Sequence, residues 1–309
     1  MHLQTSALQP GPRSPGAGRR KTHGGVADRV AYARRVRPEL SRLRGGVRVG
    51  PDFFARAGAL VDRESRPAPR GIVDRMADYA NPGIDTSRVH PAIVRFFEDT
   101  ASLALHVESH WRFPASLAWR LLRRVMRAVG QFVLPERSAD ILTRVFAIDT
   151  SVDGRDDARA VVRTYEGTGE VMQVVSYATW QRDDAAYMSA AFPLPGGQIA
   201  GVLRLDPIAE DDGGRLAVAL TSTTRDDDAG VWLALGPLAL RAPLGERLEL
   251  WAVGAHVAPS ELDAGAVPGA TIVGRHEQRL FGVRFVTHHY WFSPLDRAPS
   301  PDDERGERT

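Results

Sequence analysis

Beyond residue 141 the apolar residues recur with period two, and strong turn formers interrupt them at roughly ten-residue intervals. Leu216, Val218 and Leu220 alternate with Ala217 and Ala219, and Ile199, Leu203 and Leu205 run through Gly201 with Val202 and Arg204 between them. The interruptions are Asp153-Gly154, Gly167 to Gly169, Pro193 to Gly197, Asp212 to Gly214, Asp226 to Gly230 and Pro268-Gly269. Side chains of successive strand residues point to opposite faces, so each stretch lays one face on an interior. No helix-length segments separate the stretches, which argues against a parallel sheet and for an antiparallel barrel or strongly curved sheet. Ten strands are expected, at 142–149, 158–166, 170–181, 185–192, 198–206, 215–223, 230–235, 247–253, 270–280 and 283–292.

Upstream the period lengthens. Ile93, Phe97, Thr100, Ala104, Val107 and Trp111 are spaced four, three, four, three and four apart, which predicts a helix from about His90 to Trp111. Pro91 suits its first position, where a missing N–H costs nothing. A second helix is expected over residues 115–132. There Arg120, Arg123, Arg124 and Arg127 fall within an arc about 100° wide, and Leu117, Leu121, Leu122, Val125, Val129 and Phe132 share the other side. The fold class expected is therefore α+β: a short N-terminal helical segment with two main helices, then an antiparallel β-barrel or curved sheet of about eight to ten strands. Residues 1–75 read as a disordered or weakly structured basic extension, 76–140 as a helical segment packed on the β domain, 141–295 as the β domain and 296–309 as a disordered tail.

Charge follows the same division. Residues 1–140 carry 24 Arg and Lys against 13 Asp and Glu, net +11, whereas residues 141–309 carry 16 and 25, net −9. A helix whose apolar side packs on the sheet and whose arginines face water or the acidic β half accounts for this division. An anionic membrane surface touching Arg120, Arg123, Arg124 and Arg127 is the alternative. Lys21 is the single lysine among 40 basic residues, a bias that removes weight from a nucleic-acid partner.

The chain has no cysteine, which excludes disulfides, thiolate chemistry and Cys-ligated zinc. No apolar run approaches the ~18 residues that span a bilayer, and the N-terminus lacks the apolar stretch of a secretory signal. The expectation is a cytoplasmic location.

Four segments carry a resemblance: H-P-A-I-V-R-F-F-E-D-T from His90, the basic helix that ends in F-V-L-P at Pro135, G-V-W-L-A-L at Gly230, and L-F-G-V-R-F at Leu280. Together they resemble a family of uncharacterised bacterial proteins with a short helical head and a β-rich C-terminal part. The resemblance covers roughly residues 76–295, and it implies no activity, cofactor or catalytic residue.

Motifs of chemistry are sparse. There is no G-x-S-x-G elbow, no P-loop and no dinucleotide glycine pattern after a strand. His106 and His110, four apart on the expected first helix, form a weak metal candidate. They lack the H-E-x-x-H order, and no metal or other cofactor is expected. His288 and His289 are adjacent in a strand and so point to opposite faces. The aromatic residues Tyr177, Trp180, Trp232, Trp251, Tyr290 and Trp291, with His288 and His289, are the candidates for lining an apolar pocket. The leading expectation is a non-catalytic binding module that holds a hydrophobic small molecule in the β domain. A peripheral membrane or protein-interaction module using residues 115–132 is the second reading, and an enzyme of unrecognised type using the histidines is the third.

Overall fold

The computed structural model describes residues 40–62, 68–223, 228–236 and 238–295. The basic cluster Arg19-Arg20-Lys21 and the expected tail 296–309 lie outside them. Four α-helices are present among the described residues: α1 Phe53–Arg56, α2 Pro91–Glu98, α3 Ala115–Val129 and α4 Thr150–Asp153. The strands are β1 Leu103–Trp111, β2 Ser138–Ala147, β3 Arg159–Tyr165, β4 Val171–Arg182, β5 Ala185–Leu194, β6 Gly197–Glu210, β7 Leu216–Thr221, β8 Gly230–Leu235, β9 Leu238–Arg241, β10 Leu244–Ala252, β11 Ile272–Leu280 and β12 Val283–Pro294.

Ten of these strands close into a ring in the order β1, β12, β11, β10, β7, β6, β5, β4, β3, β2, every neighbour antiparallel. Closure leaves no exposed edge in the ring. The long β6 makes the remaining junction: its residues 204–210 pair with β7, and its residues 197–202 pair with β8, which carries β9 outward. The class is α+β with a closed antiparallel barrel, and all ten expected strands are found within a few residues of their expected ends.

One strand was expected as helix. The helix beginning at Pro91 stops at Glu98, and β1 takes the next stretch. His90 Nδ1 accepts from Ala92 N–H at 3.2 Å, capping the start of α2. Ile93, Phe96 and Phe97 of α2 are buried, each stabilising by about 1.5–3 kcal/mol. Beyond it Leu103, Leu105 and Val107 are buried in strict alternation with Ala104, His106 and Glu108. Pairing on both edges, with β12 and with β2, decides the conformation here.

The main core joins the barrel interior to the segment 72–97, where Ile72, Met76, Tyr79, Phe96 and Phe97 close one end. Residues 40–62 are also part of the fold, which corrects the expected boundary near residue 76. Val49, Phe53, Phe54 and Ala59 pack outside the barrel on Ile148, Ala160, Val162 and Val174. Phe53 and Phe54 lie on the short helix α1, and tertiary contacts bring Val49 and Ala59 beside them. A buried ion pair secures the same region. Arg155 donates to Asp153 through Nε at 2.6 Å and Nη2 at 3.0 Å, and Ser41 and Ser176 donate to Asp153 Oδ2 at 2.8 and 2.7 Å.

Candidate functional site

At the end of the barrel opposite α2 lies a cavity of about 550 Å³, floored by strand residues and covered by α3. That volume falls within the range for small-molecule sites. Ala115, Trp119, Leu122 and Met126 of α3 face it, and Phe192, Ile199, Val231 and Phe285 supply apolar walls from the strands. The helix is held at both ends. Trp119 stacks on Trp111 with ring centroids 4.6 Å apart and planes 6° from parallel. At the C-terminus Gly130 adopts φ 71°, the left-handed cap that releases the chain from the helix. Gln131 follows it and is fully buried: its amide donates to Val174 O and Pro193 O, and its side-chain oxygen accepts from Val174 N–H.

The remaining side of α3 corrects a further expectation. Its apolar residues do not pack on the sheet: Leu117 is 56% exposed, Leu121 64% and Val125 53%. A helix lying over a cavity mouth has two apolar surfaces, one turned inward and one outward. Arg123 bonds Glu136 at 3.0 Å, and Arg127 makes a two-pronged pair with Glu170 at 2.6 and 3.1 Å. Arg127 therefore ties the helix to the acidic β half and Arg123 ties it to the segment just before β2, while Arg120 and Arg124 border the outward apolar strip and are exposed.

Polar groups gather at the inner end of the cavity, where Gln173, Glu246, His276, His288 and Tyr290 line it. Gln173, Glu246, His276 and Tyr290 also border a smaller space of about 80 Å³ deeper in the barrel. His276 lies between two partners, Glu246 Oε2 at 3.2 Å from Nε2 and the Tyr290 hydroxyl at 3.1 Å from Nδ1. His288 Nδ1 lies 2.8 Å from Ser109 Oγ. Its Nε2 has no partner among the described residues, although the side chain is 1% exposed. Burial pushes the His288 imidazole down to about 3, with His276, His110 and His289 adding to the effect, so the ring is neutral near pH 7. Burial drives the Tyr290 phenol well above its ordinary range, which keeps its hydroxyl protonated.

Of the residues named from the sequence, Tyr177, His288 and Tyr290 line the two interior spaces. Five do not line either. Trp251 and Trp291 belong to the opposite face of their strands: their register partner Val273 alternates with Gly274, the partner of Leu250 and Tyr290. Trp291 donates to Asp263 O there at 2.8 Å. His289 sits on the same outer side, its ring 4.5 Å from that of His110. Trp180 and Trp232 pack with Tyr187 and Ala200 in a separate cluster. The period of two shows that neighbouring residues part, but both faces are apolar here, so it leaves open which one faces inward.

The weak metal pair changes character because its backbone is a strand. His106 and His110 lie four strand residues apart, about 13 Å, instead of one helical turn. His106 bonds Asp140 at 2.7 Å and lies beside Trp291. Among the described residues no group of three or more His, Asp or Glu side chains is arranged to hold a metal ion. Glu246 and His276 are not among the residues expected from the sequence, although the pattern of β10 carries a signal for them. Glu246 shares a strand face with Leu244, Leu248 and Leu250, and a lone carboxylate in such a row requires a partner inside.

No protein-family model matches the chain, and no solved structure matches it. Over 264 residues, 84% of its length, it is 23% identical to a Bacillus subtilis (strain 168) protein named "Uncharacterized membrane protein YndJ". The chain spans 44% of that protein's length. Similarity to an uncharacterised bacterial protein agrees with the resemblance read from the sequence. The cytoplasmic location does not stand, because that similar protein is named as a membrane protein. Among the described residues no helix is long and apolar enough to cross a membrane, which says nothing of strands.

Proposed function

We propose that the barrel is a binding module that takes up a hydrophobic small molecule beneath α3. The observation that carries this reading is the cavity itself: about 550 Å³, walled mainly by apolar side chains and covered by one helix held at its two ends. The absence of nucleophile and nucleotide motifs from the sequence favours binding over catalysis, and the barrel mouth is a common place for such a site. Nile red, a neutral dye that brightens in apolar surroundings, tests the reading. The full chain is expected to bind it with one-site saturation, and Ile199→Trp, which fills the mouth, is expected to weaken binding at least tenfold while the melting temperature holds. Equal binding by both proteins would refute it.

A second reading accompanies the first: α3 rests on an anionic membrane surface. It is supported by the exposed Leu117, Leu121 and Val125 beside Arg120 and Arg124. Exposed Leu280, Phe281 and Val283 at the β11–β12 turn add apolar surface close to the mouth. Such a strip combines insertion with charge attraction. The name of the similar Bacillus subtilis protein is in keeping with it. Co-sedimentation with phosphatidylglycerol vesicles is the test. Wild type is expected to pellet, and Leu117→Asp with Leu121→Asp to remain in solution; pelleting of both would sink the idea.

A further inference from the structure

We infer that the molecule held beneath α3 is an alcohol, an apolar body ending in a hydroxyl group that is bound by His288 Nε2, Glu246 and Tyr290 at the inner end of the cavity. This rests on the cavity reading above and specifies its ligand.

The hydrogen-bond inventory of the site carries the inference. Glu246 Oε2 accepts the Nε2 proton of His276, which leaves His276 Nδ1 bare to accept from the Tyr290 hydroxyl. Both protons of that chain are then committed, and what it still offers the cavity are acceptor sites, the second carboxylate oxygen of Glu246 and the lone pairs of Tyr290. Glu246 Oε1 is turned toward Gly201, where an added Cβ would come within 2.5 Å of it. Gly201 thus leaves the carboxylate room at the cavity wall. Opposite stands His288. Ser109 Oγ lies 2.8 Å from Nδ1; assigning the hydroxyl as the donor of that contact puts the proton of the neutral ring on Nε2, a buried nitrogen with no partner among the described residues. Leaving such a donor unmet inside a protein costs about 1–3 kcal/mol.

At the inner end of the cavity the His288 Nε2 donor therefore stands across from these acceptors, with His276 and His288 ring centroids 6.0 Å apart, while Arg163 borders the deeper space. A hydroxyl both accepts and donates, and satisfies both sides. An ether oxygen accepts only. An ammonium donates only and leaves His288 Nε2 unmet. A carboxylate satisfies His288 but sets a second carboxylate beside Glu246.

Displacement of Nile red from the full chain by 1-decanol, decyl methyl ether, decanoate and decylamine is the test. Decanol is expected to displace the dye at concentrations about tenfold lower than the other three. His288→Phe is expected to cut that advantage below threefold, with each ligand's potency taken relative to the variant's own dye affinity. Glu246→Gln is the second variant and is expected to cut it as well. Equal potency of all four ligands, or preference for the acid, the amine or the ether, overturns the inference while the cavity reading survives. Failure of every ligand to displace the dye overturns both.

Discussion

Ser109 and His288 face each other across the β1–β12 register, with Ser109 Oγ 2.8 Å from His288 Nδ1 inside the barrel. The pairing joins the strand expected to be helical to the strand densest in aromatic residues, and it sets the orientation of the buried imidazole.

A buried neutral histidine makes stability depend on pH. The unfolded imidazole titrates near 6.5, and the folded one is pushed down to about 3 by burial. Between those values the unfolded chain binds a proton that the folded chain does not, so stability rises with pH across the window and is fully present above it. The contribution is about 1.4 kcal/mol per pH unit at most. Urea unfolding at pH 7 and pH 4.5 is expected to show a smaller loss for His288→Gln than for wild type.

The Asp153–Arg155 pair is fully desolvated. Burial alone would raise the Asp153 carboxyl, but the Arg155 hydrogen bonds and charge, with Ser176 and Ser41, bring it below its ordinary value. Asp153→Ala leaves the guanidinium buried without its counter-charge and is expected to cost about 3–5 kcal/mol. Adding Arg155→Met is expected to restore part of that, measured by urea unfolding of the single and double variants.

The two faces of α3 differ in their expected sensitivity. Trp119→Ala removes the ring stacked on Trp111 and is expected to cost about 3 kcal/mol. Leu121→Ser, on the outward strip, is expected to stay within about 0.5 kcal/mol. Comparable losses for the two would place the outward strip against protein.

Gly130 closes α3 at φ 71°, where an added Cβ would lie 2.8 Å from Gly50 N. Gly130→Ala is expected to lower stability by more than about 1 kcal/mol, since strain and backbone overlap act together. Gly167→Ala is the control: its φ is also positive, but no atom lies within 4 Å of the added carbon.

The barrel was legible because alternation and turn formers both repeat after residue 141. Strand β1 was not, since Ile93, Phe97, Thr100, Ala104, Val107 and Trp111 satisfy a helical spacing by running across two elements. Leu103, Leu105 and Val107 alternate within the same stretch, but pairing with β2 and β12 was needed to choose between the periods. The amphipathic pattern of residues 115–132 was read correctly as helix and incorrectly as a buried apolar face, because periodicity fixes which residues share a side and not what covers it. The site was half legible for the same reason. His288 and His289 were bound to part, but only the ring of strands decides that Tyr290 faces inward and Trp291 outward. The third group, Glu246 with His276, comes from β10 and β11, and their contact depends on a register that no local pattern encodes.

The central claim is that the space beneath α3 is a site for an apolar molecule. Crystals of the full chain pressurised with xenon test it most directly, since xenon enters apolar cavities and is located by its anomalous scattering. The account predicts xenon sites between Trp119, Met126, Phe192 and Phe285. A barrel mouth without xenon, with α3 settled onto the strands and the space closed, would contradict it.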